Sequence, residues 1–196
     1  MMRRVTQSLR RLVGLAHRED GNATVEFVII FPMYFALLAM SIELSMITLR
    51  QTMLERGLDM AVRDIRLGTG EFVQNYDTDE ENEAALEAYH EKIKTRICDE
   101  AFVILDCANN VKLEMVRSDM RNLVSLGGEV MCTDREEEGK ATYNLIPGQQ
   151  NDLMFLRACA KYDPIFPTWH LARSLKKDNS GQLAIVTMSA FVMEPL

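Results

Sequence analysis

The chain has 196 residues, enough for one domain or for a small domain with an anchor. It carries 22 basic and 29 acidic residues, a formal net charge of −7 at pH 7. Residues 1–21 supply five arginines and two acids, so the remaining chain has a net charge of −10. This acidic balance argues against nucleic acid and against anionic lipid as partners.

The first 21 residues form a short cationic segment. An amphipathic helix lying on the inner leaflet of a membrane would explain its spaced apolar residues. A leader that a peptidase removes explains the same residues, and we favour it. The segment contains five basic residues, namely Arg3, Arg4, Arg10, Arg11 and Arg18.

Residues 27–49 read FVIIFPMYFALLAMSIELSMITL, 23 residues in which only Glu43 is charged. As a helix they would span ~34 Å, enough for a hydrocarbon core of ~30 Å. The run predicts a membrane span, although a buried helix of a soluble protein is the alternative. Because the basic residues precede it, the N-terminus should be cytoplasmic and the bulk of the chain exported. Gly21 precedes the run, so cleavage there would leave the span on the mature chain.

Two residues inside the span are unusual. Pro32 leaves the carbonyl of Val28 without its helical donor, which predicts a kink. Glu43 would lie roughly 9 Å inside the outer boundary, where a carboxylate is costly and usually finds a partner. It could pair with a basic residue of another subunit or of a secretion platform. Equally, it could protonate or reach towards the interface.

The helix continues beyond the span, because apolar residues recur at three and four positions until residues 68–70 (Gly-Thr-Gly). This predicts one helix from about residue 23 to 67. Thr78 and Glu81 have the spacing of a capping box for a second helix. Its predicted apolar face is Leu86, Tyr89, Ile93 and Ile97.

Three later segments alternate as strands do, around residues 111–115, 154–162 and 184–192. In the last two, one face is wholly apolar and rich in alanine, which would let a helix lie close. We therefore predict an α+β fold in which an antiparallel sheet packs on the outer half of the long helix. Polar or Pro-bounded loops should cover residues 134–148 and 164–177, the latter containing Trp169.

All four cysteines follow the span, where an exported location would be oxidising, so disulfides are the first interpretation. Four cysteines allow three pairings. We favour Cys98–Cys107, closing a short loop after the second helix, and Cys132–Cys159, tying a loop to the outward face of the sheet. Chain-entropy estimates give these bonds roughly 3 and 4 kcal/mol. The sequence has no phosphate loop, HExxH motif, nucleophile elbow or CxxC pair, so we expect no enzyme, metal or cofactor.

Three sequence blocks in order carry a family resemblance. They are GNATVEFVIIFP from Gly21, RQTMLERGLDMAVRDIRLG from Arg50 and PGQQNDLMFLRACA from Pro147. Together they resemble the TadE-like proteins of tight-adherence (Tad) pili, which are related to type IV pilins. The resemblance implies cleavage by a prepilin peptidase between Gly21 and Asn22. It also implies that Glu26, the fifth residue of the mature chain, pairs with the α-amine of a neighbouring subunit.

The resemblance favours a minor pseudopilin over the major pilin, because Glu26 is followed by Phe27 where major pilins have tyrosine, and because the C-terminal domain is large. The expected organisation is a basic prepilin leader at 1–21, a long helix at 22–67 spanning the membrane over about 27–49, and a periplasmic α+β head at 71–196. The expected shape is that of a pilin lollipop in the inner membrane. Implied partners are the prepilin peptidase, other pilins and pseudopilins, and the inner-membrane assembly platform.

Two other function classes remain open on the sequence alone. One is a membrane-anchored periplasmic binding module that prepilin peptidase does not cleave. The other is a periplasmic enzyme, which would need a polar pocket with convergent titratable groups. If the protein is a pseudopilin, the sequence leaves three roles open: a place within the filament, a cap at its tip, or priming of assembly.

Overall fold

The structure is a computed structural model that describes residues 22–67, 79–118, 130, 132, 145–146, 148–168 and 170–194. The predicted leader, the stop at residues 68–70, Thr78, Trp169 and most of the 134–148 loop lie outside these residues. The chain divides into two compact units, Met1–Ile42 and Glu43–Leu196. Its elements are α1 Asn22–Arg66, α2 Asp79–Glu100, α3 Cys107–Asn110, β1 Val111–Ser118, β2 Leu153–Tyr162, α4 His170–Ser174 and β3 Leu183–Val192.

The three strands form one antiparallel sheet in the order β1-β2-β3. Leu156 in the central strand pairs with Met115 of β1 and with Ser189 of β3. The strands lie where the alternating segments predicted them. Together with the helices they confirm the α+β class.

The second unit has a core between one face of the sheet and the two long helices. The predicted apolar face of α2 is confirmed, since Tyr89, Ile93 and Ile97 are buried and Leu86 packs against them. Because every third or fourth residue of α1 is apolar, that helix also buries one stripe. The core includes Leu54, Leu58, Ala61, Val62 and Ile65 of α1, and Val111, Leu113, Met115, Met154, Leu156, Ala158, Ala160, Ile185 and Phe191 of the sheet.

The backbones of α1 and α2 come close together at Gly57. A Cβ atom built there would lie 2.6 Å from the carbonyl oxygen of Ile97, so a side chain does not fit without a shift. The two helices are antiparallel, as two ion pairs along their length show. Arg96 Nε lies 2.8 Å from Asp64 Oδ2, and Arg56 Nε lies 3.1 Å from Glu100 Oε2.

The prediction that the alanine-rich face of β3 packs on the helix was wrong. Ala184, Val186, Met188, Ala190 and Val192 point outward, and the buried face of β3 is the alternate set that includes Leu183, Ile185 and Phe191. The register with β2 explains the difference. Ala158 and Ala160 of β2 pair with Thr187 and Ile185, so the helix-facing alanines of β2 lie beside the other face of β3. For β2 the prediction was correct.

Candidate functional site

The described part of the first unit begins with Asn22, the first residue of α1, and Gly21 lies just outside the described residues. Glu26 is exposed on the second turn of this helix. The large apolar side chains around and after it are exposed too. They are Val25, Phe27, Val28, Ile29, Ile30, Phe31, Met33, Tyr34, Phe35, Leu37, Leu38 and Ile42.

An apolar helix surface of this extent does not suit water, because exposed apolar patches of soluble proteins are far smaller. Among the residues that the structure describes, α1 is the helix long and apolar enough to cross a bilayer, by length and composition. It therefore has the properties of a single-pass membrane anchor. Phe27, Phe31 and Phe35 stack along one side of it, with ring centroids 5.0 and 5.9 Å apart.

Glu43, the predicted intramembrane polar residue, is the first residue of the second unit and is 2% exposed. Its Oε1 accepts a hydrogen bond from the backbone N–H of Ile165 at 3.2 Å, and its Oε2 accepts one from Phe166 N–H at 3.0 Å. These donors belong to the connection between β2 and β3. Hydrogen bonds to a charged group contribute about 1.5–3 kcal/mol each. The sequence predicts a basic residue of another subunit or of a secretion platform as the partner of Glu43, or else protonation or a position at the membrane interface. It does not indicate these two amides.

Arg50 lies two turns further along the same stripe of α1 and is 6% exposed. Its guanidinium carbon stacks 4.5 Å from the ring centroid of Tyr162, the last residue of β2. The pKa of Tyr162 is raised, mainly because the side chain is buried. The charge of Arg50 opposes this shift, and the charge of Glu43 adds to it. Arg50 thus contacts the last residue of β2, and Glu43 holds the chain that follows it.

Both disulfides of the structure join the pairs expected from the sequence. Cys98 at the end of α2 is bonded to Cys107, and Cys132 is bonded to Cys159 in the central strand. Cys159 is on the sheet face opposite the helices, where strand alternation had placed it. The first bond closes the turn at residues 101–106, and the second fastens Cys132 to the outer face of the sheet.

That outer face also holds a buried ion pair. Nε and Nη2 of Arg157 both contact Oε2 of Glu114 on the neighbouring strand, and the two residues are 8% and 4% exposed. Because the register places them directly opposite each other, the pair crosslinks β1 to β2.

A groove of about 410 Å³ lies between α1 and α2. It is mainly apolar, and its charged rim contains the Arg96–Asp64 ion pair. No group of three or more histidines, cysteines and acids close enough to hold a metal ion occurs in the described part of the chain. In the described residues, the groove is therefore an apolar cleft without a cluster of metal-binding side chains. Its lining residues are Ala61, Asp64, Ile65, Tyr89, Lys92, Ile93, Thr95, Arg96 and Asp99.

One signal in the sequence could have identified Glu43 and Arg50 as structural. They are seven residues apart, and Arg50 is four residues before Leu54, so both lie on the stripe that Leu54, Leu58 and Ile65 continue into the core. A charged residue on such a stripe usually faces the protein, where it needs a partner.

The family model described as TadE-like protein matches residues 21–63. The match covers the first residue before α1 and nearly all of that helix. It includes Glu26, Glu43, Arg50 and Gly57. No curated protein and no solved structure matches the chain.

Proposed function

The chain is a TadE-like protein over residues 21–63, and on that premise we propose that it is a minor pseudopilin that takes part in the biogenesis of Tad-type pili. The TadE-like family is a structural family of Tad pilus systems. The proposed role is that of a non-enzymatic subunit. It would be anchored in the inner membrane by α1, with the second unit in the periplasm.

The division of α1 supports this proposal. From Val25 to Ile42 the large apolar side chains are mostly exposed, whereas from Leu54 to Ile65 they form the core of the second unit. A subunit extracted from the membrane during assembly would need such a helix, since one half can exchange lipid for neighbouring helices while the other half holds the folded head. The two halves are chemically suited to these separate tasks.

The start of α1 supports the proposed processing. Gly21 directly precedes Asn22, where the helix begins, and the first acidic residue of the helix is Glu26. After cleavage by the prepilin peptidase, the new α-amine of Asn22 would stand at the helix N-terminus. We propose that Glu26 of one subunit pairs with this amine of another pilin or pseudopilin, and so sets the stagger between their helices.

The experiment that tests the proposal is mass determination of the protein extracted from membranes, in cells with and without an active prepilin peptidase. A chain beginning at Asn22 is expected with the peptidase, and a chain beginning at Met1 without it. A matched control is Gly21→Val, which should leave the chain uncleaved while the span still inserts. A chain beginning at Met1 in peptidase-positive cells would contradict the pseudopilin role and favour a membrane-anchored binding module.

A further inference from the structure

Two apolar side chains of the second unit are more exposed than any other large apolar side chain in the described residues. Phe102 is 73% exposed and Leu105 is 79% exposed, more than the residues of the apolar half of α1. Both lie in the turn at residues 101–106, which the Cys98–Cys107 disulfide closes. The side-chain amide of Asn110 also donates to the carbonyl of Leu105 at 2.9 Å. The turn therefore holds these side chains outward.

The turn lies at the end of the second unit where Glu43 is located. Arg96 of α2 pairs with Asp64 of α1, and Glu100, one turn later in α2, pairs with Arg56 of α1. Because α2 runs antiparallel to α1, the chain that leaves α2 is directed towards Glu43. The chain then enters β1 at Val111, which pairs with Ala160. Ala160 is two residues from the end of β2, and β2 leads directly into the connection that Glu43 binds.

That connection carries a third exposed apolar side chain at the same end. Ile165 is 44% exposed, although its backbone N–H is bound by Glu43. The connection is fixed a second time, because Lys177 Nζ donates to the carbonyl of Pro167 at 2.7 Å. Two separate turns, each held in place by its own bonds, therefore present apolar side chains at one end of the second unit. These side chains are Phe102, Leu105 and Ile165.

We propose that this end of the second unit rests on the membrane, with Phe102, Leu105 and Ile165 inserted at the boundary between lipid headgroups and acyl chains. The contact partner is the bilayer itself. The exposed apolar half of α1 directly precedes Glu43 in the chain. Anchoring of that half in the bilayer would therefore keep this end of the second unit close to the membrane surface, at a high effective concentration. The inference rests on anchoring by α1 and is independent of a role in pili.

The contact would be apolar and not an attraction to anionic lipid. Asp99 and Asp106 flank the exposed side chains of the disulfide-closed turn, and both are exposed. Apolar side chains that enter the interface while charged neighbours stay in the headgroup layer are typical of monotopic membrane contacts. Three such side chains would restrain the tilt of the second unit on the bilayer.

The test uses the full chain, reconstituted in phosphatidylcholine liposomes whose acyl chains are brominated close to the headgroup. Trp169, the single tryptophan, is replaced by phenylalanine, and one reporter is introduced at a time. Phe102→Trp reports the proposed contact. Leu67→Trp is the matched control, because Leu67 is 48% exposed but directly follows the last residue of α1, at the end far from Glu43. Phe31→Trp, read also with bromine near the chain ends, reports insertion of the span.

We expect the Phe102→Trp protein to lose roughly half of its emission in brominated liposomes, as for a ring ~5–10 Å into the boundary region. Leu67→Trp should keep its emission. Equal emission of Phe102→Trp in brominated and unbrominated liposomes would overturn the inference, as would shielding from water without quenching, which indicates a protein contact. If Phe31→Trp also escapes quenching, the anchoring premise itself fails. A chain with an uncleaved leader but a quenched Phe102→Trp would refute the pseudopilin role alone.

Discussion

Gly57 of α1 faces the carbonyl oxygen of Ile97 on α2 so closely that an added Cβ atom would stand 2.6 Å from it. The obstacle is backbone, which cannot rotate away as a side chain can. We predict that Gly57→Ala lowers the free energy of unfolding by about 1–3 kcal/mol, as overpacking does, despite the better helix propensity of alanine. Urea unfolding in detergent measures this. Asp59→Ala, two residues away and exposed, should be neutral or slightly stabilising; equal effects of both substitutions would contradict the prediction.

Glu43 binds two backbone amides that a glutamine cannot serve equally, because one of its two terminal atoms is a donor. Glu43→Gln should therefore release the connection between β2 and β3, at a cost of about 1–3 kcal/mol. Hydrogen exchange at the amides of Ile165 and Phe166 should accelerate roughly tenfold, since ~1.4 kcal/mol corresponds to that factor. Glu55→Gln, an exposed change on the same helix, should leave these two amides protected. Unchanged exchange in Glu43→Gln would show that other contacts hold the connection.

The buried pair between Glu114 and Arg157 allows a double-mutant cycle. Removing one partner breaks the buried pair, so Glu114→Leu or Arg157→Met alone should lower the free energy of unfolding by about 3–5 kcal/mol. The double change Glu114→Leu with Arg157→Met replaces the pair by apolar side chains of similar volume. The double variant should be less destabilised than either single variant, because two apolar groups need no partner. A double variant that is weaker than either single one would rule out this account of the pair.

His90 on α2 is 2% exposed, and we predict that its burial makes the folded protein less stable in mild acid. Burial lowers its pKa, Lys94 and Lys112 lower it further, and Glu91 partly opposes them. The unfolded chain, with an ordinary pKa of about 6.5, therefore binds a proton at a pH where the folded chain does not. The contribution of His90 to stability is fully present above the unfolded pKa of about 6.5. It is lost as the pH falls from there through the lowered pKa of His90 in the folded protein. Unfolding between pH ~7.5 and ~5 should show this loss, and His90→Gln should show less of it.

The proposed pairing of Glu26 predicts an assembly defect without a processing defect. A carboxylate moved from the interface into hydrocarbon costs roughly 2.5–3.5 kcal/mol, which a neighbouring α-amine would offset. Glu26→Ala should keep cleavage at Gly21 and membrane insertion but abolish pili or co-purification with other pilins. Glu26→Asp, with the same charge and a shorter reach, should fall between. Normal pili in Glu26→Ala cells, where deletion of the protein prevents them, would refute the pairing.

Local periodicity predicted most of the secondary structure, because burial on one side imposes a period of 3.6 on a helix and of two on a strand. The apolar face of α2 and the position of β2 follow directly from this rule. For β3 the rule gives two candidate faces, and both contain large apolar residues. Only the register against β2 decides which face is buried, and register depends on pairing with Ala158 and Ala160.

The contacts of the candidate site were less predictable, because they join residues that are distant in the chain. Glu43 and its donor Ile165 are 122 positions apart, and nothing near Glu43 in the sequence indicates an amide partner. Gly57 was hidden for a different reason. A glycine inside a helix indicates close approach of another backbone, but the sequence does not say which one.

The second half of α1 and the last strand are far apart in sequence but contact each other in this fold, and this has a consequence for how the protein is made. The side chain of Gln51 donates to the carbonyl of Val186 at 3.2 Å, and Arg66 pairs with Glu194 at 2.9 Å. If the second unit is exported as proposed, the second half of α1 would emerge from the export channel first. The core of the second unit could then form only after β3 has been synthesised. Such distant pairings are slow to form. During that interval the apolar stripe of α1 would be uncovered, a substrate for holding chaperones until β3 arrives.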